Sequence, residues 1–118
     1  MNNYYIYIVL CEKDSFYTGI TKDLIKRFNS HKNGKGARYT KINKPLKYLS
    51  VWETENINSA LKIEYYIKTK PKKIKILFIE DNKLLSKYFN KDKNENLKIK
   101  SMNKNKLNKI NEILKNER

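Results

Sequence analysis

Apolar side chains fall into short blocks along this chain, and their spacing changes from block to block. Residues 4–11, Tyr-Tyr-Ile-Tyr-Ile-Val-Leu-Cys, form an unbroken aromatic and aliphatic run, the composition of a strand. Glu12-Lys13-Asp14-Ser15 reads as a polar turn, and Phe16 to Ile20 returns as the second strand of a hairpin. The period then lengthens. Leu24, Arg27, Phe28 and His31 recur at i, i+3, i+4 and i+7, one face of a helix over about residues 22–33. Thr21 is its predicted N-cap, with Asp23 in the first turn and Gly34 just past the end. Gly34-Lys35-Gly36 breaks the helix, and Ala37 to Ile42 predicts a short helical turn. Pro45 argues against a helix and precedes a strand from Leu46 to Glu53. Asn56 caps a predicted helix over about 57–69, and Pro71 opens another reaching about residue 80.

The order strand, strand, helix, strand, helix predicts an α+β fold: a small, mainly antiparallel three-stranded sheet flanked by helices. At 118 residues one domain is expected, and the pattern confines it to residues 1–82. Residues 83–118 read as a basic Lys/Asn-rich tail. Within it, Asn90 to Asn105 reads as a flexible linker, and Leu107, Ile110, Ile113 and Leu114 have the spacing of an amphipathic helix.

Charge changes this picture. The net charge is +15, shared almost equally by the two parts. Such an excess points to a polyanionic partner, nucleic acid above all. An AT-rich coding sequence explains why 24 of the 27 basic residues are lysine; it explains less well why acids number only 12. Cys11 is the single cysteine, which excludes an intrachain disulfide and, with one histidine, makes a structural zinc site untenable. No apolar run approaches the roughly 18 residues of a membrane span, and no signal peptide is visible. A cytoplasmic or nucleoid-associated protein without membrane contact is expected.

A few residues stand out against this background. Ala60, Leu61 and Ile67 place Glu64 on or beside the buried stripe of its helix, where an unpaired carboxylate is costly. Two resolutions are open: an i,i+4 pair with Lys68, or a divalent cation and its waters. Arg27 and His31, also i,i+4, project to one side of the first helix. Arginine matches a phosphate bidentately better than lysine does, and the chain spends one of only three arginines here. Tyr7 and Tyr17 lie on the two hairpin strands, where tyrosines usually pack. Carboxylate, guanidinium, imidazole and phenol together form the assortment that a metal-dependent phosphodiesterase requires. To share a site, both phenols must face the same side of the sheet, and Tyr17, Arg27 and Glu64 must line one cleft. Nearby Lys, Arg and a metal are expected to lower the phenol pKa values.

These residues, with their order and spacing, resemble the GIY-YIG nuclease family. Tyr5-Ile6-Tyr7 and Tyr17-Thr18-Gly19 stand at its two signature triplets. The likeness continues through Asp23-Leu24 leading to Arg27, His31, Gly34-Lys35-Gly36-Ala37-Arg38-Tyr39-Thr40, Ser59-Ala60-Leu61 and Glu64-Tyr65. It is greatest to the small stand-alone bacterial members, covers about residues 3–80, and extends to the excision-repair incision nuclease and to junction nucleases. The resemblance implies a DNA endonuclease of the repair type, structure-selective toward nicked, flapped or branched DNA, using one Mg²⁺ or Mn²⁺. It implies a catalytic set of Tyr7, Tyr17, Arg27, His31 and Glu64. Glu64 would hold the metal and Arg27 the scissile phosphate; Tyr17 or Tyr7 would act on the water, with His31 assisting. Ile76 stands near the place where some members carry an asparagine. Arg38, Lys41, Lys68, Lys70, Lys72, Lys73 and Lys75 would present a basic surface to the DNA backbone. The alternative is a catalytically weak or inactive nucleic-acid-binding module on the same fold.

Overall fold

The computed structural model describes residues 3–116, so both ends of the predicted 1–82 and 83–118 spans lie outside the described residues. The aromatic run folds as β1 (Tyr4–Cys11) and returns as β2 (Ser15–Thr21) across a 3-10 turn, Glu12–Asp14. Lys13 and Asp14 take positive φ in that turn, 62° and 55°. Then come α1 (Leu24–Lys32), α2 (Arg38–Ile42), β3 (Pro45–Thr54), α3 (Ile57–Lys68) and α4 (Lys72–Glu80). The cap of α1 is Asp23, not Thr21. Its carboxylate accepts from the Lys26 N–H at 3.0 Å, while the Thr21 hydroxyl accepts from the Asp23 N–H at 3.1 Å. Thr21 is still in register with Tyr5 as the last residue of β2, which holds it one step too far back. Asn56 caps α3 as its sequence predicts, accepting from the Ser59 N–H at 2.8 Å.

The sheet has four antiparallel strands in the order β2-β1-β3-β4, not three. The fourth, β4 (Lys100–Ser101), pairs with Trp52 and Glu53. Two residues are too few to show an alternating pattern, so the sequence carried no sign of it. The stretch expected to be a flexible linker is likewise built into the structure. Its first residues belong to α5 (Leu84–Lys93), which buries Leu85 and Phe89, and its last to α6 (Lys104–Asn116), which buries Leu107 and Leu114. Asn90 exchanges two hydrogen bonds with the Leu97 backbone at 3.0 and 3.1 Å. Leu97 and Ile99 pack on the core. Asparagine here serves as a backbone partner rather than as a solvated loop residue.

Helices cover both faces of the sheet. Ile6, Ile8 and Trp52 meet α3, α4 and α5 on one face, and Tyr7, Val9, Tyr48 and Val51 meet α1 and α6 on the other. The register of β1 with β3 slips between Ile8–Ser50 and Val9–Tyr48, leaving Leu49 as an extra residue in a bulge. Asn111 of α6 repairs the interrupted ladder. Its side chain accepts from the Tyr48 N–H and donates to the Tyr48 carbonyl, both at 2.9 Å. Helix α6 is thereby fixed to the sheet behind α1. No helix among the described residues is long and apolar enough to cross a membrane. β2 remains the uncovered edge, and that edge positions the site.

Candidate functional site

Residue register settles the first geometric requirement. Tyr7 lies opposite Gly19 and Val9 opposite Tyr17. Alternation along β1 puts Tyr7 and Val9 on one face, so Tyr17 shares that face with Tyr7. Their ring centroids are 6.4 Å apart. The Tyr7 ring crosses β2 above Gly19. A Cβ on Gly19 would stand 2.5 Å from the Tyr7 hydroxyl, so the third letter of Tyr17-Thr18-Gly19 is fixed by the first strand's tyrosine.

His31 comes to the same place from α1 and is 1% exposed. Its Nε2 lies 2.8 Å from the Tyr7 hydroxyl, and its Nδ1 lies 2.8 Å from Thr40 Oγ1 on α2. The Thr40 hydroxyl donates to the Ala37 carbonyl at 2.8 Å. The Ala37 N–H also points at Nδ1, at 3.4 Å, so one imidazole spans Tyr7, Thr40 and the α2 backbone. Gly36 lets the chain pass this ring: a Cβ there would lie 1.9 Å from His31 Nδ1. Thr40 and Gly36 were visible only as letters of the Gly34–Thr40 run. Their role needed the fold of α2 back onto α1.

Burial sets the charge states. It lowers the His31 pKa to about 4, with the Arg27 charge adding to the effect, so the imidazole is neutral at pH 7. Burial also raises the Tyr7 pKa well above its usual value; Tyr17 and Glu64 push the same way and Arg27 opposes them. Without a metal the Tyr7 pKa is raised, not lowered, because desolvation outweighs the neighbouring cation. Tyr7 is a neutral, oriented hydroxyl. Behind it stands Tyr48, whose ring meets Tyr7 edge-on at 5.2 Å and whose hydroxyl donates to the Leu24 carbonyl at 2.7 Å.

Arg27 is half-buried on α1, and its guanidinium makes no ion pair among the described residues. Glu64 reaches the group from the opposite helical layer, because α3 runs against the edge strand. Its carboxylate and the Arg27 guanidinium both act on Tyr7. Glu64 also holds Lys68 at 3.4 Å, and the Lys68 ammonium lies 5.5 Å from the Tyr17 ring centre. The i,i+4 pair is thus present, yet on the same side as Arg27 and the two tyrosines. Among the described residues no three His, Cys, Asp or Glu side chains gather as a metal cage. A lone carboxylate suits a cation that keeps most of its waters, and the Lys68 ammonium on Glu64 marks this position as one that attracts positive charge.

A hollow of about 730 Å³ is lined by α1, β3 and α6 residues, and another of about 300 Å³ by Asp14, Ser15, Phe16, Tyr39, Lys72 and Lys75. Tyr17, Arg27 and Glu64 line neither. Tyr39, given no role by its sequence, stacks on Tyr17 at 5.8 Å and 23°. The predicted basic residues divide. Arg38, Lys41 and Lys73 are exposed. Lys72 is held by the Asp14 carbonyl and carboxylate at 2.5 and 3.6 Å. Lys70 stands over Tyr66, 4.3 Å from its centre, on the flank of α3 that faces α5. Ile76 is a partly exposed residue of α4.

Residues 3–76 match the GIY-YIG catalytic domain. The UPF0213 protein YazA of Bacillus subtilis is 39% identical over 82 residues, which cover 70% of this chain and 83% of that one. A UPF0213 protein of Staphylococcus saprophyticus is 47% identical over 81 residues, 65% of this chain and 96% of the other. The solution NMR structure of a UPF0213 protein from Bacillus halodurans is 33% identical and covers 66% of this chain and 83% of that one, with a TM-score of 0.44.

Proposed function

The chain belongs to the GIY-YIG nuclease family, and from that premise we propose that it is a divalent-metal-dependent endonuclease that hydrolyses DNA phosphodiester bonds, preferring branched, flapped or nicked DNA. One observation carries the reading: Tyr7, Tyr17, Arg27, His31 and Glu64 come from four elements and both helical layers, yet meet around one strand edge.

Each group has a role that its surroundings support. The unpaired Arg27 guanidinium binds the scissile phosphate and stabilises charge developing on it. Glu64 would hold Mg²⁺ or Mn²⁺, which supplies Lewis-acid polarisation of the phosphate and leaving oxygens. Binding there requires Lys68 to release the carboxylate. Tyr7, held in place by His31, presents its hydroxyl to orient a water. His31 is neutral at pH 7 and assists by fixing the Tyr7 hydroxyl, while Thr40 keeps its ring in one orientation. Tyr17, half-exposed and next to Lys68, is the phenol with access to solvent at the reacting centre.

The decisive test is a panel of nicked, flapped and branched DNA with Mg²⁺ or Mn²⁺. Wild type should cut, and Glu64→Ala should lose cleavage while binding stays within about twofold, since one side-chain contact is removed. Survival of cleavage in Glu64→Ala would sink the mechanism. The ion pair between Glu64 and Lys68 favours a second reading, a nucleic-acid-binding module with little activity. In that case binding falls steeply with salt and no substrate is cut.

A further inference from the structure

The hollow bounded by Phe16, Tyr39, Lys72 and Lys75 lies beside the site, and apart from the two lysines, expected as backbone contacts, its lining has no role above. We propose that it is a nucleotide subsite: it takes one unpaired nucleotide of the bound strand, next to the scissile phosphate, with the base against Tyr39 and its phosphate on Lys75. The proposal rests on the endonuclease reading and deepens it by naming the local form of the substrate.

Size and chemistry both fit. A volume of about 300 Å³ is at the lower end of small-ligand sites. Tyr39 is 37% exposed, yet its ring is not free to collapse, because Tyr17 backs it at 5.8 Å. An aromatic ring held open in this way is a platform for any base, since every base has a π-face. Tyr17 belongs to the catalytic group, so the platform and the cut are separated by one stacked ring.

Lys75 supplies the second, independent observation. It projects from α4 half-buried, and its side chain makes no hydrogen bond or ion pair among the described residues. Burial lowers its pKa, and the Lys68 charge lowers it further. Lys68 is already held by Glu64 at 3.4 Å, whereas Lys75 has no such acid among the described residues, so an incoming anion finds Lys75 open. Lys72 cannot fill that need as readily: Asp14 already holds it, and it lies 4.6 Å from the Phe16 ring centre. The Asp14 carboxylate also repels a phosphate from that rim, which leaves Lys75 as the phosphate partner. A base paired in a duplex has both faces covered by its neighbours. It can meet Tyr39 only after leaving the stack.

The test uses the full chain in a Glu64→Gln background that does not cut. Probes are a single-stranded DNA oligonucleotide, a flapped duplex with 2-aminopurine at successive flap positions, and a blunt duplex of the same sequence. Single-stranded and flapped DNA should bind more tightly than blunt duplex, and 2-aminopurine at one position should be quenched on binding. Tyr39→Ala should weaken single-stranded and flap binding about tenfold and abolish that quenching, while Tyr39→Phe retains both. Lys75→Gln should reduce the salt slope by about one phosphate contact. Equal affinity of Tyr39→Ala, with its circular dichroism melt unchanged, would overturn the subsite; so would equal losses on blunt duplex. These are binding readouts, so the subsite can stand if cleavage is never found, and can fall while cleavage stands.

Discussion

At the scale of single residues, close approach explains two glycines that the chain cannot replace. Gly36→Ala forces a methyl group against His31 Nδ1. The change should cost about 2–3 kcal/mol, as overpacking does, measured by urea denaturation. It should also reduce any cleavage, because the His31–Tyr7 contact is displaced. His31 itself makes stability depend on pH. Its folded pKa of about 4 lies below the ordinary 6.5, so the unfolded state takes up the proton first as pH falls. The contribution is complete above about pH 6.5 and is lost as pH falls toward 4. His31→Gln should flatten the change in urea midpoint between those pH values; an unchanged profile would refute the assignment of a neutral, buried imidazole. Burial is the reason the sequence suggested a lowered Tyr7 pKa where the fold raises it. A residue's partners in sequence reveal nearby charge, but not how much water is removed.

Among the elements, caps and anchors follow short-range rules to different depths. Asn56→Ala should cost about 1 kcal/mol through loss of the α3 cap, seen in the thermal midpoint. Helix α3 also carries Glu64, so fraying at its start tests how firmly the carboxylate is held. Helix α6 was readable from its apolar spacing, but its attachment was not. Asn111→Ala leaves the Tyr48 N–H and carbonyl at the bulge without partners and should cost about 1–3 kcal/mol. Helix α5 was hidden by composition: Leu84, Leu85, Tyr88 and Phe89 lie among lysines and asparagines, and its N-cap, Lys83, makes no side-chain cap. Phe89→Ala should cost about 3–5 kcal/mol, as for a fully buried aromatic. A negligible effect would mean that α5 lies outside the cooperative core.

On the scale of the molecule, the +15 charge predicts a logarithmic fall of DNA affinity with salt. The structure narrows which cations contribute. Arg38, Lys41 and Lys73 are open to solvent, whereas Lys72 is tied to Asp14 and Lys70 lies on Tyr66. Arg38→Gln with Lys41→Gln should therefore lower the salt slope by about two, and Lys70→Gln by much less, in anisotropy titrations with one DNA. Equal losses from all three would show that the charge acts as a diffuse field. Organisation at this scale also accounts for where the site lies. Groups from the α1 side and the α3 side can meet only where no further strand intervenes, and the β2 edge is that place.

Local periodicity and caps were enough to determine β1, β2, α1, β3, α3 and α4, because those signals act over a few residues. The order and spacing of Tyr7, Tyr17, Arg27, His31 and Glu64 identified the family for the same reason: they are properties of the chain read in one direction. What the tertiary structure alone decided depends on contacts between distant segments. Register put both tyrosines on one sheet face, and α2 folding onto α1 brought Thr40 to His31. Packing against an edge strand carried Glu64 around to Arg27, with Lys68 as its present partner. Burial then fixed Tyr7 and His31 as neutral groups, since a charge state follows from how much water the whole fold excludes.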